Sequence, residues 1–320
     1  MLLDKLYIHS FTTDAAMIGL RLFLLVILFG FAHCGHVISA CRPRYGMRGG
    51  SIVYYPGNSS IILVVPNAGA VYSDKMPIRR SGCWQDNRCN WSANCLNKSN
   101  EQCPIRKMNE KLTRELAIFT SNAIHRLTGD RPHVIMNRYH IRNVDVSVPK
   151  APGTANDAIA GRIWDQFHCY IDYVENQSNT SLIIELHESM NWDKTMEFGY
   201  LLDQTNWHFD DANRVNTSLH VATTYNTLLD VIVGHQSLGG QMQNSGYNSV
   251  PSHHNVCFPP EKNKYKSGSY ITRVHGSSAE TSVDAVYVEV PSSFIRYGRI
   301  QQFSRDFAAA IVQFWQKFYD

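Results

Sequence analysis

The chain has 320 residues, of which 44% are hydrophobic, and this composition excludes a globally disordered protein. Its 30 basic and 27 acidic residues give a formal net charge of +3, so the charge balance offers no case for a nucleic-acid partner. The length allows one large domain or two modest ones.

The N-terminal segment reads as a targeting sequence rather than as part of the fold. An apolar run of 11 residues, Leu22 to Ala32, follows Arg21 and is too short to span a bilayer, which takes about 20 residues. Small residues follow up to Ala40, which predicts a secretory signal cleaved near that position. Because 21 residues precede the apolar run, an uncleaved membrane anchor is the alternative. We therefore expect residues 1–40 to be separate from one extracellular, secreted domain over residues 41–320.

Hydrophobic periodicity predicts alternating strands and helices after residue 40. Continuous apolar runs predict buried strands, and apolar residues at every third or fourth position predict amphipathic helices. The predicted strands cover residues 60–65, 132–137, 181–187 and 283–290, with a further apolar stretch at 198–202. The predicted helices cover residues 104–127, 155–175, part of 217–233 and 303–318, while 234–270 reads as loop. This alternation predicts an α/β layered fold with a largely parallel central sheet.

Two features are typical of an exported protein. Four cysteines crowd one polar segment without a Cys-x-x-Cys pair, so we expect a disulfide-rich loop at 83–103 rather than a zinc knot. Glycosylation acceptor triplets begin at six asparagines, namely Asn58, Asn90, Asn97, Asn176, Asn179 and Asn216. Both features fit an oxidising, extracellular environment.

Polar residues near the ends of predicted strands form the candidate site. Asn67 follows the first strand, His187 ends the third, and Glu289 is an acid inside an apolar strand. Functional groups in such sheets gather where strands end and loops begin. Glu110, at the start of a predicted helix, adds a second carboxylate. Imidazole and carboxylate groups are suitable ligands for a hydrolytic zinc ion, whereas the alternative for His187 is an ordinary core histidine.

Five segments resemble the N-formylglutamate amidohydrolase family of zinc-dependent amide hydrolases. The most specific is LIIELHES followed by EFGYLL, within residues 182–202, which is similar to the family's Asp-Leu-His-Gly motif and its Glu-Leu-Gly-Tyr-Leu-Leu stretch. The others are VVPNAG (64–69), RPHVIMNRYH (131–140), YITRVHGS (270–277) and VDAVYVEVPSS (283–293). The resemblance covers about residues 60–318 and implies a zinc-exopeptidase-like, three-layer sandwich around a mixed, largely parallel sheet.

The resemblance also implies roles for the candidate residues. It implies that Glu110 and His187 hold a zinc ion and that Glu289 is the catalytic general base. Arg273 and His275 fall in a segment that borders the substrate pocket in relatives, where Arg273 would orient the substrate. Zinc is then the expected cofactor, and a small-molecule or peptide amide is the expected substrate.

The sequence departs from the family at the first metal ligand. The family has a histidine in a Pro-His-x-Gly turn, but here the turn reads PNAG (66–69), so Asn67 occupies that position. An amide oxygen is a weak donor to zinc, and its presence lowers the expected metal affinity. Basic family positions are also replaced, by Ile141 and Ser147-Val148, which removes groups that would pair with a substrate carboxylate.

Two hypotheses follow from this pattern. The first is a secreted metal-dependent amide hydrolase-like protein whose activity is altered or lost. The second is a non-catalytic secreted binding or structural module on the same scaffold. A membrane contact is expected only if the N-terminal segment remains attached.

Overall fold

The computed structural model describes residues 50–85, 88–90, 102–103, 105, 108–179, 181–189, 194–202, 217–256, 265–276, 282–296 and 298–320. The chain divides into the units Met1–Arg42 and Pro43–Asp320, and every described residue belongs to the second. The predicted secretory signal therefore lies outside the described residues. Among the helices that the structure describes, none combines the length and the apolarity needed to cross a membrane.

A seven-stranded mixed sheet lies at the centre of this unit. The described strands are β1 (Ile52–Tyr55), β2 (Ile61–Val65), β3 (Gly82–Gln85), β4 (Arg88–Asn90), β5 (Gln102–Cys103), β6 (His133–Asn137), β7 (Ser181–Ser189), β8 (Met196–Gly199), β9 (Ser249–Val250) and β10 (Val283–Pro291). The large sheet has the order β1-β6-β2-β7-β10-β8-β9. Its four central strands β6, β2, β7 and β10 are parallel, whereas β1 and β8 are antiparallel to β6 and β10. The predicted α/β class with a mixed, largely parallel sheet is confirmed.

Helices cover both faces of the sheet. The described helices are α1 (Thr113–Thr128), α2 (Lys150–Thr154), α3 (Ala158–Glu175), α4 (Leu228–Ile232), α5 (Leu238–Asn244), α6 (Tyr270–His275), α7 (Ser292–Ile295) and α8 (Ile300–Phe318). Apolar side chains of α1 and α8 pack in one core, and those of α3 and α6 pack in another. The two cores lie on opposite faces of the sheet, because neighbouring residues of one strand contribute to different cores.

Side-chain alternation on β7 positions the candidate site. All nine residues of this strand are buried, because helices cover it on both sides. Leu186 belongs to the core under α1 and α8, and Ile183 belongs to the core under α3 and α6. Since side chains alternate between faces, Glu185 and His187 lie on the same face as Ile183. His187 therefore lies near the end of the strand, on the α3 and α6 side, and the strand continues two residues beyond its predicted end at residue 187.

The predicted helix over 104–127 begins later than expected. Helix α1 starts at Thr113, so Glu110 precedes the helix instead of beginning it. The backbone N–H of Glu110 donates to the carbonyl of Asn67 at 3.0 Å, and this contact holds the approach segment against the end of β2. Tertiary contact thus overrides local propensity here. The helix ends at Thr128, and Gly129 follows it with a left-handed φ of 84°.

Of two predictions between residues 217 and 270, the helix within 217–233 is confirmed and the loop over 234–270 is wrong in part. The expected helix within 217–233 is limited to α4, because the carboxylate of Asp284 accepts the backbone N–H groups of Val221 and Ala222, each at 2.9 Å, and holds that stretch in turns. The expected loop 234–270 contains α5 and β9. Helix α5 begins at Ser237, whose hydroxyl accepts the N–H of Gly240 at 3.0 Å, an N-cap that the loop prediction overlooked.

The cysteine-rich segment and the glycosylation positions are described in part. Strands β3, β4 and β5 form a separate small sheet in the order β4-β3-β5. Cys83 in β3 and Cys169 in α3 each take part in a disulfide bond. The asparagines Asn58, Asn176 and Asn179 are exposed. The side chains of Asn90, Asn97 and Asn216 lie outside the described residues.

Candidate functional site

His187 lies completely buried between two carboxylates. Its Nδ1 is 3.1 Å from Oε1 of Glu110, and its Nε2 is 2.7 Å from Oε1 of Glu185. A carboxylate oxygen is an acceptor, so each ring nitrogen carries a proton when both hydrogen bonds form. We call these three residues the Glu–His–Glu cluster.

The two carboxylates hold the His187 ring in its charged form. Burial alone lowers the pKa of His187, but the charges and hydrogen bonds of Glu110 and Glu185 outweigh burial and raise it to about 10. The ring is therefore an imidazolium at neutral pH. Removing either carboxylate would leave a buried charge with less compensation.

Hydroxyl and backbone donors fix both carboxylates in place. The second oxygen of Glu185, Oε2, accepts hydrogen bonds from Ser269 at 2.7 Å and from Thr272 at 2.8 Å. Ser269 is the N-cap of α6, so this helix is tied to the cluster at its first turn. Oε2 of Glu110 accepts the backbone N–H of Glu188 at 3.2 Å. The cluster therefore links β7, α6 and the segment before α1.

Glu289 lies beside His187 on the next strand. The two residues are paired in the parallel register of β7 and β10, so their side chains lie on the same face. The hydroxyl of Tyr287 donates to Oε2 of Glu289 at 2.7 Å, and its ring stacks on His187 with a centroid separation of 4.5 Å. The fold thus brings Glu110, His187 and Glu289 to one end of the sheet, as the sequence analysis expected.

Asn67 lies at the same end of the sheet but its side chain contacts other residues. The buried amide lies 3.2 Å from Oγ of Ser147, as the donor in one orientation and as the acceptor in the other, and Ser147 Oγ is 2.6 Å from Oδ1 of Asp145. Asp145 in turn forms a buried ion pair with Arg79, with Nη2 and Oδ2 3.1 Å apart. The contact between Asn67 and Glu110 is made by the backbone.

The donor set does not fit the three-ligand zinc site that the family resemblance implies. Glu110 and His187 provide two strong donor atoms close together, but the third position holds the Asn67 amide, which bonds to Ser147. Both nitrogens of His187 are also engaged by carboxylates. A hydrolytic zinc site normally has three protein ligands and one open position. The two remaining donors fall short of that set.

A basic groove opens next to the cluster. Its cavity volume is about 700 Å³, and its lining includes the cations Lys111, Arg142 and Arg296 beside one carboxylate, Glu188. Glu188 accepts hydrogen bonds from the Leu112 N–H at 3.2 Å and from the Ser292 hydroxyl at 2.7 Å. Because the backbone N–H of Glu188 also donates to Glu110, one residue connects the groove wall with the Glu–His–Glu cluster.

An aromatic pair extends the lining of this groove. The ring of Tyr72 stacks on that of His140, with centroids 4.3 Å apart. Burial, followed by the positive charges of Arg142 and Lys111, lowers the pKa of His140. This lowered pKa favours the uncharged form of the His140 ring, which lies in a region of positive potential.

The two pocket residues implied by the family resemblance lie on α6. Arg273 is exposed. His275 is buried against α3, with its Nδ1 3.0 Å from Glu175 Oε1 and 3.4 Å from Asp172 Oδ1. These three side chains are a candidate metal-binding group within the described part of the chain. His275 forms hydrogen bonds with residues of α3, and neither His275 nor Arg273 lines the basic groove.

Sequence reasoning assigned no role to Glu185, Glu188 or Tyr287. The signal that indicates Glu185 and Tyr287 is the period-two alternation of a strand, because each lies two residues before an assigned residue and on the same face. Glu188 shows no comparable pattern, since its contacts come from residues distant in sequence, Leu112 and Ser292.

The fold defines an α/β protein with helices on both faces of a mixed sheet, and the Glu–His–Glu cluster lies near the carboxyl end of its parallel strands. No protein-family model and no curated protein sequence matches the chain. The structure is similar to gene product Atu2144 from Agrobacterium tumefaciens, with a TM-score of 0.45, 12% identity, and coverage of 86% of this chain and 98% of that chain. It is also similar to N-formylglutamate amidohydrolase from Ralstonia eutropha JMP134, with a TM-score of 0.43, 9% identity, and coverage of 84% and 98%.

The raised pKa of His187 predicts a specific pH dependence of stability. Because the pKa in the folded state, about 10, exceeds the ordinary value of 6.5, the stabilisation is complete below pH 6.5 and is lost as pH rises towards 10. We expect the free energy of unfolding of the unsubstituted chain to fall over this range, with a limiting slope of about 1.4 kcal/mol per pH unit from this group. Urea unfolding at pH 6.5, 8 and 9.5 measures it. The variant His187→Gln should lack this component, and equal slopes in both proteins would contradict the assignment.

Proposed function

We propose that the chain is a non-catalytic ligand-binding protein on an amidohydrolase-like scaffold, and that its basic groove takes a small anionic ligand. The observation that carries the proposal is the environment of His187, whose two nitrogens both face carboxylates. A doubly protonated ring has no lone pair to offer a metal ion. The Glu–His–Glu cluster then has a structural role and holds the backbone segments next to the groove in place.

The lining of the groove supports an anionic ligand. Three cations face one carboxylate, and Arg296 Nη2 lies 3.5 Å from Glu188 Oε1, so Lys111 and Arg142 add positive charge beyond that pair. The volume of about 700 Å³ falls within the range of roughly 300–1,000 Å³ that is usual for small-molecule sites. The stacked rings of Tyr72 and His140 offer a flat surface to a planar group such as a carboxylate or an amide.

The first test uses N-formyl-L-glutamate as the probe, an anionic amide suggested by the name of the Ralstonia enzyme. We expect calorimetry on the full chain to show binding and an amine-release assay to show no hydrolysis. Arg142→Gln and Lys111→Gln should each weaken binding about tenfold, because a hydrogen bond to a charged group contributes about 1.5–3 kcal/mol.

The matched control for this test is Arg126→Gln. Arg126 is also an exposed arginine, but it lines a different cavity, formed by residues of α1 and α8. Its substitution should leave the affinity unchanged. Failure of the probe to bind, or equal weakening by all three substitutions, would contradict an anion-binding groove.

A second candidate function is metal-dependent amide hydrolysis with altered activity. The observation in its favour is the 3.1 Å separation of Glu110 Oε1 and His187 Nδ1, with Glu289 on the neighbouring strand. In the corresponding experiment, Asn67→His restores the family's third ligand type. We expect this variant to bind more zinc than the unsubstituted chain, as measured by elemental analysis, and a further His187→Gln change should remove the gain. Zinc in the unsubstituted chain that disappears with His187→Gln alone would favour this second candidate over the binding protein.

We also propose that the mature chain is secreted and glycosylated. Disulfide-bonded Cys83 and Cys169 suit an oxidising compartment, and the acceptors Asn58, Asn176 and Asn179 are exposed. Expression of the full chain in a eukaryotic secretory host should deliver it to the medium, with a gel mobility that increases after enzymatic removal of N-glycans. Retention of the chain in the membrane fraction would favour the uncleaved anchor instead.

A further inference from the structure

A second cluster of metal-ligating side chains lies where α3 meets the end of α6. Asp172 and Glu175 are three residues apart on α3 and so share one helix face. His275 is the last residue of α6. One ligand atom from each of the three lies within 4.8 Å of the others. The two helices therefore bring one imidazole and two carboxylates to a single point.

The hydrogen bonds of His168 determine which proton the His275 ring carries. His168 Nε2 is 3.0 Å from the carbonyl of Val146, which only accepts, so this nitrogen carries a proton. With that proton on Nε2, the Nδ1 of a neutral ring accepts. Its partner at 2.8 Å, Nε2 of His275, must therefore donate.

With Nε2 of His275 donating to His168, the other ring nitrogen of His275, Nδ1, faces carboxylates. The side chain is only 5% exposed, and its Nδ1 is aimed at Glu175 and Asp172. With the Nε2 proton committed to His168, a neutral ring would present a lone pair to two negatively charged groups. Nδ1 of His275 and the two carboxylates are therefore positioned to ligate one cation together.

We propose that Asp172, Glu175 and His275 bind a divalent metal ion of the zinc class. One imidazole and two carboxylates form a three-ligand set that leaves a position open to water. The side chain of Asp172 is 61% exposed, which gives the ion a path from solvent. His168 orients His275 from behind, as hydrogen-bond partners of the distal nitrogen do at histidine–metal sites. An imidazole ligand disfavours magnesium and calcium, which prefer oxygen alone.

The ion would act as a link between two helices. Asp172 and Glu175 belong to α3, whereas His275 closes α6. At its other end, α6 holds Glu185 of the Glu–His–Glu cluster through its N-cap Ser269. Metal binding at one end of this short helix therefore stabilises the element that positions the buried carboxylate at the other end.

The test measures zinc binding to the full chain after treatment with a chelator and dialysis. Calorimetry with zinc chloride should give about one equivalent bound, with magnesium chloride giving no comparable heat. Asp172→Asn, Glu175→Gln and His275→Gln should each reduce the affinity at least tenfold. Zinc should also raise the melting temperature of the unsubstituted chain, and Asp172→Asn should abolish that shift. Because Asp172 is largely exposed, this variant should fold even if His275→Gln does not.

The matched control is Asp165→Asn. Asp165 is also a half-exposed aspartate on α3, but it pairs with Lys150 at 2.6 Å, away from His275. Its substitution should leave zinc binding intact. Absence of zinc binding would overturn the proposal. Zinc binding that is unaffected by Asp172→Asn and Glu175→Gln would overturn it equally.

The same measurements separate this site from the proposed function. Zinc that is lost with Asp172→Asn and kept with His187→Gln supports the α3–α6 site and leaves the Glu–His–Glu cluster metal-free. Zinc that is lost with His187→Gln and kept with Asp172→Asn overturns this inference and the metal-free cluster together. Failure of N-formyl-L-glutamate to bind concerns the proposed function alone.

Discussion

The buried cation of His187 between two carboxylates is the interaction on which this end of the molecule depends. Glu110 comes from the segment before α1, and Glu185 and His187 come from β7, while α6 supplies the hydroxyls that hold Glu185. Removing one member of a buried ion pair typically costs about 3–5 kcal/mol, because the remaining charge has lost its partner. Three parts of the fold are therefore fixed relative to one another by a single imidazole ring.

This arrangement separates a rigid centre from an open binding surface. In the centre, a ring proton lies where a metal ion would need a lone pair, and the Asn67 amide is turned to Ser147. In the groove, cations line a cavity that is open to solvent. Glu188 joins the two, since its backbone contacts Glu110 while its side chain belongs to the groove wall. Binding of the proposed anionic ligand in the groove would thus need no rearrangement of the buried charges.

The sequence predicted the sheet core better than its surroundings. The apolar runs that became β2, β6, β7 and β10 could be read directly, because strands covered on both faces are apolar throughout. The start of α1 could not, because the position of Glu110 is set by a backbone contact with Asn67, distant in sequence. The convergence of Asn67 and His187 could be predicted, because the ends of parallel strands meet at one edge of the sheet. The contacts of Glu188 could not be predicted either, because they too are made with residues distant in sequence.

The residues around His275 could not be predicted from the sequence either. The sequence and the family resemblance placed this histidine beside a pocket, but the residues that surround it, Glu175 and His168, lie about a hundred positions earlier in the chain.

Finally, the large sheet ends in β9, of two residues, on one side and in the four-residue β1 on the other. Long, flat outer strands offer unpaired backbone groups to a second chain, and these brief ones offer few. The protein is thereby protected against edge-to-edge aggregation at high concentration.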